Sequence, residues 1–252
     1  KVLFETDDSV AAGAMWGVSK HYLHMAREAN LAQADLVLAV TPELARHLQR
    51  TARAPRWLPN GVELGRFADA SGDRSDDAML PGPVAGVIGQ FSARTDIALL
   101  GDVQAAGISL LLVGPRWFTT AEQNAEFDEL IARPGVRWVD AVPREQLTQY
   151  LSQIDVGLTP YVDSMFNRRS YPLKTLEYLA AGIPVVATDV ATTQGLDDRF
   201  VSVADRESFV DSVMRALASE WDRAAIAESV VNDGWPARAT QVLAWIDSER
   251  DA

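Results

Sequence analysis

The chain has 252 residues, 48% of them hydrophobic, and a formal net charge of −12. Its length and composition predict a globular protein of one or two domains with a buried core. The acidic charge argues against nucleic acid or an acidic membrane as the main partner, and the absence of cysteine excludes disulfides and thiolate metal sites.

The histidines argue against a zinc site, and the apolar runs argue against a membrane span. His21 and His24 are three apart on an expected helix, but no third ligand accompanies them, and zinc needs three or four. No run of about eighteen apolar residues occurs, so the sequence predicts no membrane span. The chain starts with a strand pattern, without Met and without a visible signal peptide, which predicts a cytoplasmic protein and a fragment or mature part of a longer chain.

The first quarter of the chain alternates short strand and helix patterns. Lys1 to Thr6 is expected to be a buried strand, and a second strand is expected at 34–40. Thr41 followed by Pro42 is typical of a helix start, because Thr caps free N–H groups and Pro needs no N–H in the first turn. A short strand and an Asn-Gly turn are expected over 56–62.

From residue 84 onward, apolar runs alternate with helical patterns, which predicts a parallel sheet with helices on both faces. A connector rich in Asp, Ser, Gly and Pro precedes it at 68–83. The expected strands are Val84–Ile88, Ile108–Val113, Val136–Val139, Val156–Thr159, Val185–Thr188 and Phe200–Val203. The expected helices are near Asp96–Ala106, Ala121–Arg133, Arg144–Ser152, Pro172–Ala181, Ser208–Leu217 and Trp235–Ile246.

The segment 172–189 carries the most specific pattern in the chain. Pro172 suits a first helical turn and Gly182 suits a helix end, so a helix is expected between them. Lys174 and Glu177 share one face of that helix near its start, where free N–H groups and the helix dipole favour an anion. The two residues are either a solvated ion pair on a core helix or part of a diphosphate- and ribose-binding site.

Ligands of an open parallel sheet bind beyond the carboxyl ends of its strands, and several of these ends carry suitable residues. Gly89 lets a backbone approach an anion closely, and Arg94 can pair with a phosphate. A plain turn with a solvated Arg explains the same two residues. Asn167 is a candidate for a sugar hydroxyl, or a cap of the following turn.

The stretch PLKTLEYLAAGIPVVATD resembles the donor-site signature of GT-B glycosyltransferases, the group that includes the family-4 enzymes. ADLVLAVTPEL and LPNGVELGRF resemble the second half of the N-terminal domain of that fold. The resemblance implies that Glu177 binds the nucleotide ribose and that Lys174 contacts the diphosphate. It also implies that the loop after Gly89 cradles the diphosphate and that backbone groups near Val142 read the base. The donor-binding residues expected in this way are Gly89, Gln90, Phe91, Arg94, Val142, Thr159, Asn167, Arg168, Leu173, Lys174 and Glu177.

Three residues are catalytic candidates: Asp7, Asp8 and Arg169. Many retaining members of the family carry a second Glu at the position that is Arg169 here, so retention or inversion stays open. Asp7 and Asp8 lie close to the place of a catalytic-site His in family-4 members. They point in opposite directions from a strand, so only one can face a cleft. That carboxylate is either a general base toward an acceptor hydroxyl or the N-cap of the next helix.

The expected fold class is α/β of the GT-B type: a Rossmann-like parallel-sheet domain plus a partial second Rossmann-like domain. Residues 1–62 are expected to be the remnant of an acceptor-side domain and 63–83 a linker. Residues 84–222 are expected to form the nucleotide-sugar-binding domain. Residues 223–252 are expected to be helices that cross back to the first part.

The expected function is transfer of a sugar from a nucleoside diphosphate sugar, with uridine or guanosine as the base, to an acceptor hydroxyl in glycan biosynthesis. The acceptor is expected to be a glycan, a lipid-linked molecule or a small molecule, and peripheral membrane association stays open. No metal or other cofactor is expected. The alternatives are a nucleotide-sugar-binding module without turnover and a nucleotide-sugar isomerase on the same fold.

Overall fold

Two parallel sheets, formed one after the other along the chain, are the framework of the protein. The structure, a computed structural model, describes residues 1–13, 16–49, 54–67 and 78–250, and the side chains of residues 249 and 250 are left aside. Residues 68–77 of the expected linker at 63–83 therefore lie outside the described residues.

The first sheet has three strands in the order β1-β2-β3. Helices connect the strands, and the helix after β2 begins as expected: the hydroxyl of Thr41 accepts a hydrogen bond from the Leu44 N–H at 3.0 Å. The elements of this part are β1 (Val2–Glu5), α1 (Ser9–Ala12), α2 (Lys20–Leu31), β2 (Leu36–Ala39), α3 (Pro42–Leu48), β3 (Arg56–Trp57) and α4 (Leu64–Phe67).

The second sheet has six parallel strands in the order β6-β5-β4-β7-β8-β9. They are β4 (Val84–Ile88), β5 (Ser109–Val113), β6 (Val136–Val139), β7 (Val156–Thr159), β8 (Val185–Thr188) and β9 (Val201–Ala204). The helices are α5 (Ile97–Ala105), α6 (Ala121–Ile131), α7 (Leu147–Leu151), α8 (Met165–Arg168), α9 (Leu173–Ala180), α10 (Phe209–Ala218), α11 (Arg223–Glu228) and α12 (Trp235–Arg250). Each strand agrees with its expected bounds to within one residue, and the predicted fold class is confirmed.

Alternate residues of the second sheet face two different cores, because side chains of a strand alternate between its faces. Leu110 and Leu112 of β5 pack with apolar residues of α5, α6 and α10. Leu111 and Val113 pack with residues of α7, α9 and α11, and this core continues into β2 and α3 of the first part. Helix α12 lies against the first sheet, with Val242 and Ile246 on Leu38.

Strands β4 and β7 separate before their carboxyl ends, at the point where the strand order reverses. Their pairing ends at Gly86, so the N–H of Ile88 has no partner in β7. Instead, the Tyr178 hydroxyl of α9 accepts from that N–H at 2.8 Å and donates to the Gly86 carbonyl at 3.1 Å. The Tyr178 ring lies so close to Gly157 of β7 that a Cβ there would be 2.5 Å from its Cγ. The ring therefore anchors α9 at the crevice where α/β sheets bind ligands.

Candidate functional site

The start of α9 lies directly against the turn that follows β4. Gly89 has a φ of +102°, and a Cβ built on it would lie 3.6 Å from Nζ of Lys174. The turn after β5 supports it from behind: a Cβ on Gly114 would lie 2.2 Å from the Gly89 carbonyl oxygen, so that position accepts only glycine. The strand-end turn and the helix start, which are far apart in the sequence, are thereby brought to one place.

Two cavities adjoin at this place, and four residues line both: Asp7, Arg94, Tyr161 and Lys174. The large cavity has a volume of about 700 Å³, and its other walls include Trp16, Gln90, Ser92, Trp117, Thr119 and Phe166. The small cavity has a volume of about 350 Å³, and its other walls include Asn60, Gly89, Tyr171, Leu173 and Glu177. The shared wall contains two cations and one carboxylate, which is suited to a charged ligand that extends through both spaces.

Glu177 lies half-buried in the small cavity, one turn further along α9 than Lys174. Burial raises the pKa of its carboxyl group, and the charge of Lys174 opposes that increase. Among the described residues, neither side chain has an ion-pair partner within 4.0 Å. Lys174 and Glu177 therefore line one cavity beside Gly89, and this arrangement favours a binding site over a solvated ion pair.

Arg94 is held in place by a wall of aromatic rings and by one amide. Its guanidinium carbon lies 4.6 Å from the ring centroid of Phe166 and 5.1 Å from that of Tyr161, and Nζ of Lys174 lies 5.2 Å from the same Tyr161 ring. Its Nε donates to the Asn167 side-chain oxygen at 2.9 Å. No other hydrogen bond of the guanidinium is found among the described residues, so its remaining N–H groups can bind a ligand.

Asn167 does not take the expected role at a sugar hydroxyl. Its side chain is fully buried, and its amide donates to the carbonyls of Arg94 at 3.1 Å and Val162 at 2.9 Å. With both donors and the oxygen used inside the protein, Asn167 positions Arg94 and contacts no cavity. It does not cap the following turn either, since it lies within α8.

The adjacent residues Asp7 and Asp8 lie beyond β1, which ends at Glu5, so they are not on a strand as expected, and their side chains have different partners. Asp7 lines both cavities and accepts a hydrogen bond from the Ser170 hydroxyl at 3.3 Å. Burial raises the pKa of the Asp7 carboxyl, while Arg94 and the Ser170 hydrogen bond partly oppose this. A carboxylate with a raised pKa at a cavity wall has the properties of a general base.

Asp8 takes the N-cap role instead of a catalytic one. Its carboxylate is 1% exposed, accepts from the Ala11 N–H at 3.2 Å and pairs with Arg27 at 3.2 Å and with Arg169. Burial alone would raise its pKa, but the hydrogen bonds from Arg169 and from the Ala11 N–H outweigh it and hold the pKa below its usual range. The assignment of Asp8 as catalytic is therefore corrected.

Arg169, the third catalytic candidate, is likewise a structural residue here. Its side chain is 15% exposed, and besides Asp8 it approaches Glu43 of α3, with 3.7 Å between Nε and the carboxylate. Its carbonyl accepts from the Thr41 hydroxyl at 3.2 Å. Arg169 lines neither cavity, and it connects the first part of the chain to the second.

Four further donor-site candidates lie away from the two cavities. Arg168 is exposed and pairs with Asp163 at 2.6 Å. The Phe91 ring is fully buried, 5.2 Å from that of Phe127. Thr159 is buried and its hydroxyl has no partner in the described part of the chain, and Val142 packs against the core. Of the candidates, the structure brings together Asp7, Gly89, Gln90, Arg94, Leu173, Lys174 and Glu177.

Sequence reasoning missed the aromatic residues of the site: Trp16, Trp117, Tyr161 and Phe166. Tyr161 and Trp117 follow the carboxyl ends of β7 and β5, so the strand-end rule could have found them. In the described part of the chain, no group of three or more His, Cys, Asp or Glu side chains could hold a metal ion. None of the helices described is long and apolar enough to cross a membrane.

The family with the description "Glycosyl transferases group 1" matches residues 91–219, just over half of the chain. The chain belongs to the group 1 glycosyl transferases. The match includes the loop with Arg94 and the whole of α9, which contains Lys174, so it covers both cations of the shared wall. Its recognition as a GT-B glycosyltransferase from sequence is thereby confirmed.

This group 1 glycosyl transferase is 29% identical over 178 residues to TuaH of Bacillus subtilis (strain 168), described as a "putative teichuronic acid biosynthesis glycosyltransferase". The aligned part is 67% of this chain and 44% of that relative, so the chain spans less than half of the relative's length.

Solved structures share the fold. A sucrose-phosphate synthase from Thermosynechococcus elongatus superposes with a TM-score of 0.72 at 21% identity, over 98% of this chain and 67% of that one. Anabaena Alr3699/HepE in complex with UDP and glucose superposes with a TM-score of 0.70 at 15% identity, over 98% of this chain and 71% of that one.

Proposed function

We propose that the protein transfers a sugar from a nucleoside diphosphate sugar to an acceptor hydroxyl, and that this chain supplies the donor site. One observation carries the proposal. Lys174 and Arg94, which have no carboxylate partner within 4.0 Å among the described residues, converge with the buried carboxyl of Glu177 on two adjoining cavities. Two cations beside a hydrogen-bond acceptor suit a diphosphate that is joined to a sugar with free hydroxyls.

Each side chain of this group has a chemical role in binding the donor. Lys174 binds the diphosphate as a point charge, and Arg94 offers paired N–H groups that match phosphate oxygens. The start of α9 and the glycine turn at Gly89 let the backbone approach the same anion. Glu177 accepts hydrogen bonds from the ribose hydroxyls, one turn deeper along the helix.

The transfer step follows from these positions. The acceptor oxygen forms a bond to the anomeric carbon of the donor, while the bond from that carbon to the diphosphate oxygen breaks. The proton of the acceptor hydroxyl passes to the Asp7 carboxylate, whose raised pKa favours that transfer. The electron pair leaves with the diphosphate, where Lys174 and Arg94 stabilise the developing charge. Because side chains supply this charge, the proposal includes no metal.

The similar proteins suggest the first donor and the wider setting. A structural neighbour is described in complex with UDP and glucose, so UDP-glucose is the donor to test first. The name of the Bacillus relative refers to the synthesis of teichuronic acid, which supports a role in glycan biosynthesis.

Calorimetric titration of UDP and UDP-glucose into the protein tests the donor site. Glu177→Ala is expected to weaken UDP binding about tenfold or more, because hydrogen bonds to a charged group contribute about 1.5–3 kcal/mol. Arg168→Ala is the matched control, since its side chain is exposed, pairs with Asp163 and lies outside both cavities. No binding by the wild type, or equal binding by wild type and Glu177→Ala, would refute the proposal.

Release of UDP in the presence of acceptor separates transfer from mere binding. The proposal expects turnover that persists in a chelator of divalent cations. Tight donor binding without transfer or hydrolysis would instead identify a binding module, which is the second function expected from the sequence.

A further inference from the structure

Two tryptophans are exposed at the wall of the large cavity, one from each part of the chain. Trp16 is 52% exposed and Trp117 is 65% exposed. Trp is highly buried on average in folded proteins, and large exposed apolar surface usually marks a binding site. Neither indole belongs to a described hydrophobic core cluster, so packing of the protein interior does not account for either of them.

The residues on either side of Trp117 contact helix α6, whereas the Trp117 indole lines the cavity. Arg116 pairs with Asp128, and the Phe118 ring lies 5.4 Å from that of Phe127. The Trp117 N–H donates to the carbonyl of Phe91 at 2.7 Å, so its backbone is fixed beside the turn after β4. The backbone of Trp117 is therefore anchored at the cavity, and its indole is exposed there.

The rest of the large cavity carries polar as well as apolar side chains, and the polar ones decide between the kinds of ligand that an indole could bind. Gln90, Ser92 and Thr119 line it together with Asp7 and the two cations. A lipid chain would leave these polar groups without partners, at a cost for each. A pyranose ring suits both features, because its C–H face packs on an aromatic ring and its hydroxyls bind polar side chains.

We propose that Trp16 and Trp117 form the acceptor subsite, where a terminal pyranose of a glycan stacks on an indole and presents a hydroxyl to Asp7. This inference rests on the proposed function, and it narrows the acceptor from the three classes expected from the sequence to a glycan. The large cavity then holds the acceptor end of the reaction, next to the donor diphosphate at the residues that line both cavities.

Saturation-transfer NMR tests this subsite with four defined probes: maltotriose, cellotriose, triacetylchitotriose and octyl glucoside, each with UDP present. The wild type is expected to transfer saturation to pyranose ring protons of at least one probe. Trp16→Ala and Trp117→Ala are each expected to reduce this signal about fivefold, since loss of an aromatic face costs about 1 kcal/mol. Trp117→Phe, which keeps an aromatic face, is expected to retain part of the signal.

Tyr22→Ala is the matched control, because Tyr22 is an aromatic residue of the first part, 66% exposed and outside both cavities. Calorimetric binding of UDP is measured on the same variants and is expected to stay within about twofold of the wild type. If the wild type does not bind UDP, the proposed function is refuted. UDP binding with no ring signal from any probe, an unchanged signal in both Trp variants, or saturation confined to the octyl chain would overturn the acceptor subsite alone.

Discussion

Replacement of Lys174 by Met tests the charge that the donor site depends on, at nearly constant side-chain length. The ammonium lies 5.2 Å from the Tyr161 ring and is half-buried. It has no carboxylate partner within 4.0 Å in the described part of the chain, so no internal ion pair compensates for its loss. A charge-assisted hydrogen bond contributes about 1.5–3 kcal/mol, which predicts a loss of about 10- to 150-fold in UDP affinity.

The assay is a calorimetric comparison of UDP with uridine, which lacks the diphosphate. Lys174→Met is expected to weaken UDP binding strongly and to leave uridine binding nearly unchanged. Glu177→Ala is expected to weaken both, because the ribose is common to the two ligands. Added salt is expected to reduce the difference between Lys174→Met and wild type, since a half-buried charge is still partly screened. Equal loss of uridine and UDP binding in Lys174→Met would refute its placement at the diphosphate.

Three further substitutions test the other parts of the site. Asp7→Asn is expected to lower the transfer rate about 10²- to 10⁴-fold with unchanged UDP affinity. The wild-type rate is expected to fall as the pH decreases through the pKa of Asp7, which is raised above the usual Asp value of 3.8. Asp8→Ala is expected to reduce the free energy of unfolding by about 3–5 kcal/mol, because it leaves Arg27 and Arg169 without their buried partner. Asn167→Ala is expected to weaken UDP binding about three- to tenfold, because it frees the Arg94 side chain.

Controls for these variants separate catalysis, stability and positioning. The pKa of Asp8 is lower in the folded state than in the unfolded state. Its stabilising effect is therefore fully present at a pH above its pKa in the unfolded state, and it is lost as the pH falls through its pKa in the folded state. Urea unfolding at neutral and acidic pH measures this, and a constant difference between Asp8→Ala and wild type would contradict it. Arg168→Ala, which removes an exposed ion pair, is expected to leave the free energy of unfolding nearly unchanged. A pH-rate profile that Asp7→Asn leaves unaltered would argue against the general base.

The elements of the second sheet could be predicted because their signals are local. Runs such as Val185–Ala187 are uniformly apolar, and Gly182 and Pro184 separate the strand from the helix before it. Lys174 and Glu177 could be predicted for the same reason, since three positions along one helix place them on one face. These two residues line one cavity with Gly89 because the strands of the sheet are parallel. The alternation of strand and helix patterns in the sequence also indicates this parallel order.

The roles of Arg169 and Asn167 could not be predicted, because each depends on a partner far away in the sequence. Arg169 meets Asp8 across the two parts of the chain, and nothing near either residue indicates this pair. Asn167 reaches the backbone of Arg94 only after α8 has packed beneath the turn that follows β4. Polar residues at strand ends look alike in a sequence whether they face a ligand or another side chain.

The hydrogen bonds of the Tyr178 hydroxyl restrict the movement of α9 when a ligand binds. It holds two backbone groups of β4 with hydrogen bonds of 2.8 and 3.1 Å, and it is one residue from Glu177 and four from Lys174. Sliding or rotating this helix would break both bonds inside a dry interior, where each lost bond leaves a buried polar group at a cost of about 1–3 kcal/mol. The distances between the Lys174 ammonium, the Glu177 carboxyl and the turn at Gly89 are thus set before a ligand binds. Binding therefore requires little ordering of these residues.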